Sequence, residues 1–216
     1  MMMICLDVEG VLLPELWLCI AEATGISDLK RTTRDEPDFD ALMRDRIAIL
    51  RHHGIRYRDL LPIINAQSPL PGAAEFLASL RQRFQVSLVS DSFYEFLMPL
   101  SPKLGYPTIF CHHLQVSDEG WIVEWQARLR DQKPKVVNAF KQQGFLVVAA
   151  GDSYNDLGML QAADAGFFIH APDRVTSQHP ERRRCHSHTE LFEAIDAFAA
   201  RHSTQALLQV RANAVA

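Results

Sequence analysis

The chain has 216 residues and a formal net charge of -4, with 48% hydrophobic and 22% charged residues. This length and composition suit one globular domain with a modest insertion, or two small domains, and they supply enough apolar side chains for a core. The small negative charge argues against a broad surface for nucleic acids or anionic membranes, so neither is expected as a partner.

The cysteines and the N-terminal residues indicate the cellular compartment in which the protein is expected. The four cysteines are scattered, without a Cys-x-x-Cys pair or a metal-ligand spacing to histidine. Asp7 and Glu9 interrupt the first apolar run before a signal sequence could form, and no apolar stretch is long enough to span a bilayer. We therefore expect a reduced, cytoplasmic protein in which Cys5 is a buried free thiol.

The first predicted element is a buried strand over residues 3–8, an apolar run that ends in acidic residues. Residues 14–70 follow, with no strand pattern and at least two amphipathic helices, and the proline-rich stretch 68–72 closes them. We interpret 14–70 as a helical cap inserted into a core formed by residues 1–13 and 71–202.

Beyond residue 71, strands alternate with helices, which is typical of an α/β, Rossmann-like core with a mainly parallel sheet. Further strands are predicted over residues 84–90, 145–150 and 166–170. Helices are predicted over residues 72–83, 134–143, 155–165 and 189–201.

Three other segments complete the predicted organisation. Residues 108–116 and 121–126 flank a turn and predict a β-hairpin. The basic run at residues 182–184 is interpreted as a solvated loop. Residues 203–216 have few large apolar groups and are expected to form a flexible tail.

Polar side chains follow three of the predicted strands, at the point where each strand ends. They are Asp7 and Glu9 after the first strand, Ser90 and Asp91 after the second, and Asp152, Asn155 and Asp156 after the third. In an open parallel sheet, ligands bind at the carboxyl ends of the strands, so these loops are expected to converge on one cleft.

The carboxylates of Asp7, Glu9, Asp152 and Asp156 would crowd in that cleft. Two like charges about 4 Å apart repel by roughly 4 kcal/mol at an effective dielectric near 20, so the cluster requires a cation. All-oxygen ligands with room for water and phosphate indicate Mg²⁺ rather than zinc.

The same residues predict phosphoryl transfer. A carboxylate that attacks a phosphate monoester meets charge repulsion, which a divalent ion reduces. Asp7 would become an aspartyl-phosphate, while Glu9 would protonate the leaving oxygen and later activate water. A lysine should complete the site, and Lys133 is the preferred candidate with Lys135 as the alternative.

Each motif has a second interpretation when it is taken alone. An acidic loop after a strand is often only a turn or a helix cap, and Gly-Asp-x-x-x-Asp is often an Asx-turn. Ser90 alone is more often structural. The order of the motifs along the chain, each at a strand end, favours a catalytic site.

In these motifs the chain resembles the haloacid-dehalogenase superfamily. Residues 7–12 (Asp-Val-Glu-Gly-Val-Leu) are similar to its first motif, and Ser90 is similar to the hydroxyl of the second. Lys133 is similar to the lysine of the third motif, and residues 151–156 (Gly-Asp-Ser-Tyr-Asn-Asp) are similar to the fourth.

The resemblance implies a role for each matched position. Asp7 would be the nucleophile and Glu9 the acid/base, and Ser90 would bind the phosphoryl group. Mg²⁺ would be bound by Asp7, by Asp152 and by the backbone carbonyl of Glu9, with Asp156 supporting the site.

Over residues 3–200 the likeness extends to the phosphoserine phosphatase branch, above all to the bifunctional ThrH type, which also passes phosphate to homoserine. For the substrate O-phospho-L-serine, it implies that Glu15 binds the amino group and Arg46 the carboxylate. Phe39 would line the cap side, and Asn155 would lie near the phosphate. Homoserine would be a second acceptor.

Two residues depart from the commonest family pattern. Glu9 stands where the superfamily usually has aspartate. Asp91 replaces a glycine that is common in phosphoserine phosphatases, and it adds negative charge near the mouth of the site. Both features resemble the ThrH type, and we expect Asp91 to affect the choice of acceptor.

Arg46 and Glu15 also have structural interpretations. Arg46 shares a predicted helical face with three apolar residues, so its guanidinium should be buried and should need an anionic partner. That partner is either a substrate carboxylate or a nearby acid such as Asp40 or Glu36. Glu15 follows a proline, where the helix dipole favours an acid in any case.

Other functions fit parts of the pattern. A receiver-like signalling module shares the sheet, aspartate, hydroxyl and lysine, but it carries its acceptor on a later strand and lacks so large an insertion. A binding protein with a defunct site is disfavoured, because every catalytic position is filled. A phosphatase for another small phosphometabolite, such as a sugar phosphate, would share the whole catalytic set.

Overall fold

The computed structural model of the protein describes residues 1–32, 35–36 and 38–213, with side chains up to residue 202. Its strands are β1 (Met2–Leu6), β2 (Gln85–Phe93), β3 (Thr108–Val116), β4 (Ile122–Gln126), β5 (Leu146–Gly151), β6 (Ala165–Ile169) and β7 (Arg184–Cys185). Its α-helices are α1 (Leu16–Thr24), α2 (Phe39–His52), α3 (Tyr57–Ala66), α4 (Ala73–Arg81), α5 (Tyr94–Leu97), α6 (Gln132–Gln142), α7 (Leu157–Ala162), α8 (Asp173–Thr176) and α9 (His188–Asn213). Short 3₁₀ segments cover Ser27–Lys30, Met98–Leu104 and Tyr154–Asp156.

Within the described residues, these strands form one sheet in the order β4-β3-β2-β1-β5-β6-β7. Neighbouring strands are parallel, apart from the antiparallel pair β3 and β4. The mainly parallel α/β fold and the hairpin are therefore confirmed. Strand β1 lies between β2 and β5, so that Leu6 pairs with both Leu88 and Ala150. The carboxyl ends of these three strands consequently lie side by side.

Strand β1 lies in the middle of the sheet, and it is apolar on both faces. Ile4, Cys5 and Leu6 have no exposed surface, as expected for a parallel strand covered by helices on both sides. The thiol of Cys5 is free and buried, as predicted, and lies 3.5 Å from the hydroxyl of Ser87.

Strand β2 is longer than the sequence predicted. It continues past residue 90 to Phe93, and its register against β3 shifts between Val89 and Phe93. Ser90 and Asp91 therefore lie inside an irregular part of the strand rather than in a loop after it. Such irregularities are common beside active sites, because they redirect side chains.

The helices near the C-terminus also differ from the prediction. Helix α7 is shorter than the predicted helix over residues 155–165, because the chain enters β6 at Ala165. Helix α9 continues to Asn213, so residues 203–213, expected in a flexible tail, have helical backbone, while 214–216 lie outside the described residues. No helix in the described part of the chain has the length and apolarity needed to cross a membrane.

The basic run at residues 182–184 is not simply a solvated loop. Arg184 belongs to the edge strand β7, and it forms an ion pair with Asp173. Arg182 is partly buried and donates to the carbonyl of Leu160 at 2.9 Å. Both side chains thus fasten the sheet edge to neighbouring helices.

Residues 14–70 form α1, α2 and α3 and, where described, contain no strand, as predicted. Their apolar side chains belong to the same buried cluster as those of the sheet. Trp17 of α1, for example, packs edge-on against Phe96, which in turn packs against Phe93 of β2. The helices are therefore packed onto the carboxyl ends of the central strands, and the division into core and cap stays a prediction.

Candidate active site

A cavity of about 140 Å³ lies where the carboxyl ends of β1, β2 and β5 meet α1 and α2. The predicted site residues line it with one exception. Those that line it are Asp7, Glu9, Glu15, Phe39, Arg46, Ser90, Asp91, Lys133, Asp152 and Asn155. The exception is Asp156, which is fully buried and bonded to residues that line the cavity.

Lys133 of α6 provides a buried positive charge at the base of the cavity. Its ammonium lies 2.8 Å from Asp156 and 3.2 Å from Asp7. The carboxylate of Asp91 is 3.5 Å away. Burial disfavours the charged form, but these carboxylates outweigh it and raise the pKa of Lys133 well above its usual value. The alternative candidate, Lys135, instead donates to a backbone carbonyl on the exposed side of α6.

Asp7, Asp152 and Asp156 form the acidic cluster of the site. One carboxylate oxygen of each lies within 4.8 Å of the others. Burial, above all, and the neighbouring carboxylates raise the pKa of Asp7 well above its usual value and that of Asp152 to about 7. The ionised cluster therefore needs more positive charge than Lys133 supplies.

Asp156 orients its neighbours with both of its oxygens. Oδ1 accepts a hydrogen bond from Lys133, and Oδ2 accepts the backbone amides of Asp152 (2.9 Å) and Ser153 (3.0 Å). Gly151 permits this approach, since a Cβ there would lie 2.2 Å from the carboxyl carbon of Asp156. These contacts support the predicted role of Asp156 as a residue that supports the metal site.

The remaining donors suit Mg²⁺. Asp7 and Asp152 offer carboxylate oxygens, and among the described residues the carbonyl of Glu9 accepts no hydrogen bond. Hard oxygen donors that carry excess negative charge are the ligands that Mg²⁺ prefers. These three groups would hold the ion, which when bound supplies charge neutralisation and polarisation of the phosphoryl oxygens.

The carboxyl group of Glu9 is held at the start of α1. Its Oε2 accepts a hydrogen bond from the backbone amide of Leu16 at 3.0 Å. Burial, in the first place, and the carboxylate of Glu15 raise the pKa of Glu9 to about 7. A carboxyl group with a pKa near neutrality can both give and take a proton, as the predicted acid/base role requires.

Ser90 presents its hydroxyl from the irregular part of β2. The oxygen accepts the backbone amide of Ser92 at 3.2 Å, which leaves the hydroxyl hydrogen free to donate to a ligand. The side chain of Gln132 donates to the Ser90 carbonyl at 2.6 Å and fixes this segment. The sequence did not single out Gln132, although a buried amide beside Lys133 was a usable signal.

Asp91 faces both the cavity and a buried polar network. Its Oδ2 accepts a hydrogen bond from Asn155 at 3.1 Å, and its Oδ1 lies 3.6 Å from the ring of His112. Burial favours the neutral acid, but Lys133 and His112 together hold the pKa of Asp91 below its usual range. Asp91 is therefore an ionised residue of the wall, next to the place predicted for the phosphate.

Arg46 of α2 is a buried residue that also lines the cavity. Its guanidinium carbon lies 4.6 Å from the centre of the Trp17 ring, and Nη2 donates to the carbonyl of Arg31 at 2.7 Å. Its Nε has no hydrogen-bond partner. Burial lowers the pKa of Arg46 to about 10, although Glu9 and Glu15 act in the opposite direction.

Neither of the two acids considered as structural partners of Arg46 forms an ion pair with it. Asp40 pairs with Arg130 at 2.6 Å, and Glu36 lies 4.0 Å from Arg31. No carboxylate of the described residues forms an ion pair with Arg46. Its charge is therefore balanced only at longer range, by Glu9 and Glu15, and the residue lines the cavity.

The other residues predicted for the substrate, Glu15 and Phe39, line the cavity as well. Glu15 is the N-cap residue of α1 and its side chain makes no capping hydrogen bond, so its interpretation as an acid favoured by the helix dipole stays open. Phe39, the first residue of α2, packs edge-on against Trp125 at 4.9 Å. Sequence reasoning missed further lining residues, because most of them look like ordinary core or turn residues. They are Trp17, Leu42, Ser92, Phe93, Ser153 and Tyr154.

Comparison with known proteins agrees with this geometry. A family model described as haloacid dehalogenase-like hydrolase matches residues 1–164, the region that contains β1, β2, β5 and the acidic cluster. The chain belongs to the haloacid dehalogenase-like hydrolase family. The resemblance predicted from the four motifs is thereby confirmed.

Within this family, phosphoserine phosphatases are among the similar proteins. The chain is 49% identical over 187 residues to phosphoserine phosphatase ThrH of Pseudomonas aeruginosa, covering 87% of this chain and 91% of that protein. A phosphoserine phosphatase of Pseudomonas syringae pv. tomato is also 49% identical, over 87% of this chain and 79% of its own length. A substrate-bound phosphoserine phosphatase complex shares the fold, with a TM-score of 0.74 at 21% identity over 91% of this chain and 97% of its own.

Gly10 allows the loop after β1 to contact the acidic cluster. Its φ is 77°, and a Cβ at this position would lie 2.5 Å from Oδ2 of Asp152. We expect Gly10→Ala to displace that carboxylate and to lower kcat about 100-fold, because misplacement by about 1 Å is enough for such a loss. The measurement is steady-state hydrolysis of p-nitrophenyl phosphate.

Gly54→Ala is the matched control. Gly54 has a similar φ of 69°, but a Cβ there would meet nothing within 4 Å. It should cost about 1 kcal/mol of stability through backbone strain and leave kcat unchanged. Equal losses of kcat in the two variants would refute the role given to Gly10.

Proposed function

We propose that the chain is a Mg²⁺-dependent phosphoserine phosphatase that acts through an aspartyl-phosphate on Asp7 and also transfers phosphate to homoserine. The observation that supports the proposal is one cavity whose lining carries both sets of groups that phosphoserine needs. Ser90 and Lys133 would bind its phosphoryl group, and Arg46 and Glu15 would bind its carboxylate and ammonium groups. The 49% identity to ThrH supports this substrate.

In the first step, Asp7 attacks the phosphorus atom and the bond from phosphorus to the serine oxygen breaks. Lys133, 3.2 Å from Asp7, and the hydroxyl of Ser90 stabilise the charge on the transferring oxygens. Glu9 gives its proton to the departing serine oxygen, and its pKa of about 7 keeps part of it protonated at neutral pH. The products are serine and phosphorylated Asp7.

In the second step, the carboxylate of Glu9 takes a proton from water as the water oxygen attacks phosphorus. The bond between phosphorus and Asp7 breaks, which releases phosphate and restores Asp7 and protonated Glu9. Asp7 is only 5% exposed, so the helices above the sheet limit which molecules reach the phosphorylated side chain. This sequestration favours attack by small nucleophiles that bind in the cavity.

Substrate selection in this proposal depends on Arg46. A phosphoserine carboxylate would supply the close anionic partner that the described residues do not provide, and it would pair with the guanidinium of Arg46 where this residue lines the cavity. The ammonium group of the same substrate would lie near Glu15. A sugar phosphate offers neither charge, which is why phosphoserine is preferred over other small phosphometabolites.

We expect Arg46→Ala to lower kcat/KM for phosphoserine by about 10²–10³-fold, the cost of a lost charge-assisted pair of roughly 3–4 kcal/mol. On p-nitrophenyl phosphate, which has no carboxylate, the loss should stay below about tenfold. Arg44→Ala, an exposed change on the same helix, is the control and should affect neither substrate. Equal losses on both substrates would show that Arg46 is structural and would favour another phosphometabolite.

A receiver-like signalling module has no further support. The chain belongs to a hydrolase family, and its acidic acceptor follows β1, the central strand. Repeated turnover of a phosphoester separates the two functions, because a receiver would be phosphorylated without steady release of phosphate.

The Mg²⁺ dependence can be tested by removing the ion. EDTA should abolish phosphatase activity and excess Mg²⁺ should restore it, because the acidic cluster lacks sufficient positive charge. Asp152→Asn should raise the Mg²⁺ concentration for half-maximal activity by about tenfold or more. Asp118→Asn, in the exposed hairpin turn, is the control. Full activity in EDTA would eliminate the proposed cofactor.

Homoserine fits the same cavity in place of water. It carries the carboxylate and ammonium groups that Arg46 and Glu15 would bind, and its hydroxyl lies one methylene further away than that of serine. Its oxygen would attack phosphorylated Asp7 from the side that serine has left, with Glu9 taking the proton. Hydrolysis and transfer would then share one intermediate and differ only in the nucleophile.

Because hydrolysis and transfer would share phosphorylated Asp7 as their intermediate, one substitution should abolish both activities. Asp7→Asn should abolish both phosphate release and formation of phosphohomoserine, while circular dichroism shows an unchanged fold. Both products can be followed by phosphorus NMR with phosphoserine, Mg²⁺ and added homoserine. Absence of phosphohomoserine from the unmodified enzyme would remove the transfer function, and activity in the Asp7 variant would remove the mechanism.

A further inference from the structure

The loop after β1 carries the chain from the sheet to the helices, and side chains hold part of its backbone. The carbonyls of Val8, Leu12 and Leu13 accept backbone amides. Those of Gly10 and Val11 are held instead by histidine rings from distant parts of the chain. This loop begins at the nucleophile and contains the acid/base, so its conformation matters for the reaction.

His188, the first residue of α9, is the buried member of this pair. Its Nε2 donates to the carbonyl of Val11 at 2.8 Å, which defines the tautomer. The other side of the ring faces the segment where the chain returns to the sheet. A Cβ on Gly72 would lie 3.8 Å from Nδ1. The ring of His188 is therefore close to both crossings between sheet and helices, and it bonds the first of them.

His170 approaches the same loop from the end of β6. Its Nδ1 lies 3.2 Å from the carbonyl of Gly10, and its ring stands perpendicular to that of His188 at 5.0 Å. His170 has a φ of 53°, a left-handed conformation that costs a non-glycine residue on the order of 1 kcal/mol. A strained residue is thus retained where its ring meets the loop.

Gly10 is the point at which this loop borders a cavity of about 830 Å³, which His170 and His188 also line. The apolar side chains of the loop, such as that of Val11, are fully buried in the core, so packing holds them. Packing of side chains does not fix the direction of a carbonyl, and the histidine bonds add that restraint for Gly10 and Val11.

We propose that His188 is a positioning residue of the active site, which fixes the loop bearing Asp7 and Glu9 through the carbonyl of Val11. It touches no reacting atom. Without its donor, the loop can shift toward the cavity and withdraw Glu9 from the amide of Leu16. The kinetic consequence rests on the proposed phosphatase function, whereas the restraint on the loop does not.

Three variants distinguish the effect of the hydrogen bond that His188 donates from the effect of the packing of its ring. His188→Phe keeps an aromatic ring against Phe76 but removes the hydrogen bond. His188→Gln places an amide donor near the position of Nε2. His202→Phe is the matched control, because His202 lies on the same helix and bonds the carbonyl of Phe198 within it.

We expect His188→Phe to lower kcat about 10–100-fold on phosphoserine and on p-nitrophenyl phosphate alike, with KM changed less than about threefold. His188→Gln should recover kcat to within about threefold of the unmodified enzyme, and His202→Phe should leave it unchanged. Hydrogen–deuterium exchange, read by mass spectrometry on peptides covering residues 8–13, should be faster in His188→Phe only. This readout needs no activity, so it remains decisive if phosphoserine is not a substrate.

Three results would overturn the proposal: unchanged exchange in folded His188→Phe, unchanged kcat in that variant, or equal loss in the Phe and Gln variants. The last would show that ring packing, not the donor, matters. If His188→Phe does not fold, His188→Asn replaces it, because its shorter amide reaches the position of Nδ1 rather than Nε2. The same expected and contrary results then apply.

Discussion

A single buried ammonium group holds the acidic side of this site together. Lys133 lies within 3.5 Å of the carboxylates of Asp7, Asp91 and Asp156, and burial without it would force these groups to become neutral. One lysine cannot balance these three groups and Asp152 as well. The ionised cluster therefore has an excess of negative charge that a divalent cation would neutralise, which is the basis of the proposed Mg²⁺ dependence.

Arg46, which lines the same cavity, has the reverse imbalance. Arg46 is buried against Trp17 with an unused Nε donor and no ion pair within the described residues. A buried charge without a close partner lowers the stability of the fold, and such charges are typical of sites that bind a charged ligand. Under the proposed function, Lys133 and Arg46 would bind the two anionic groups of one small molecule, and the carboxylate of Glu15 would bind its cationic group.

Backbone geometry brings these charges within reach of each other. Gly10 and Gly151 leave space for the carboxylates of Asp152 and Asp156, where any Cβ would collide with them. The irregular part of β2 turns Ser90 toward the same cavity. The helices of residues 14–70 share one buried cluster with the sheet, which makes the position of the substrate-binding end dependent on the same core.

By itself the sequence determined the α/β class and the family, and it predicted an acidic cluster that the structure brings together. These features are local, because apolar runs of strand length that end in acidic residues reveal both the sheet and the edge where ligands bind. The choice of Lys133 over Lys135, the partners of Asp40 and the place of Trp17 were decided only by the tertiary structure. The bond from His188 to Val11 spans 177 positions of the chain, and no periodicity or spacing encodes a contact between residues so far apart. Only the packing of α9 against the loop after β1 determines this contact.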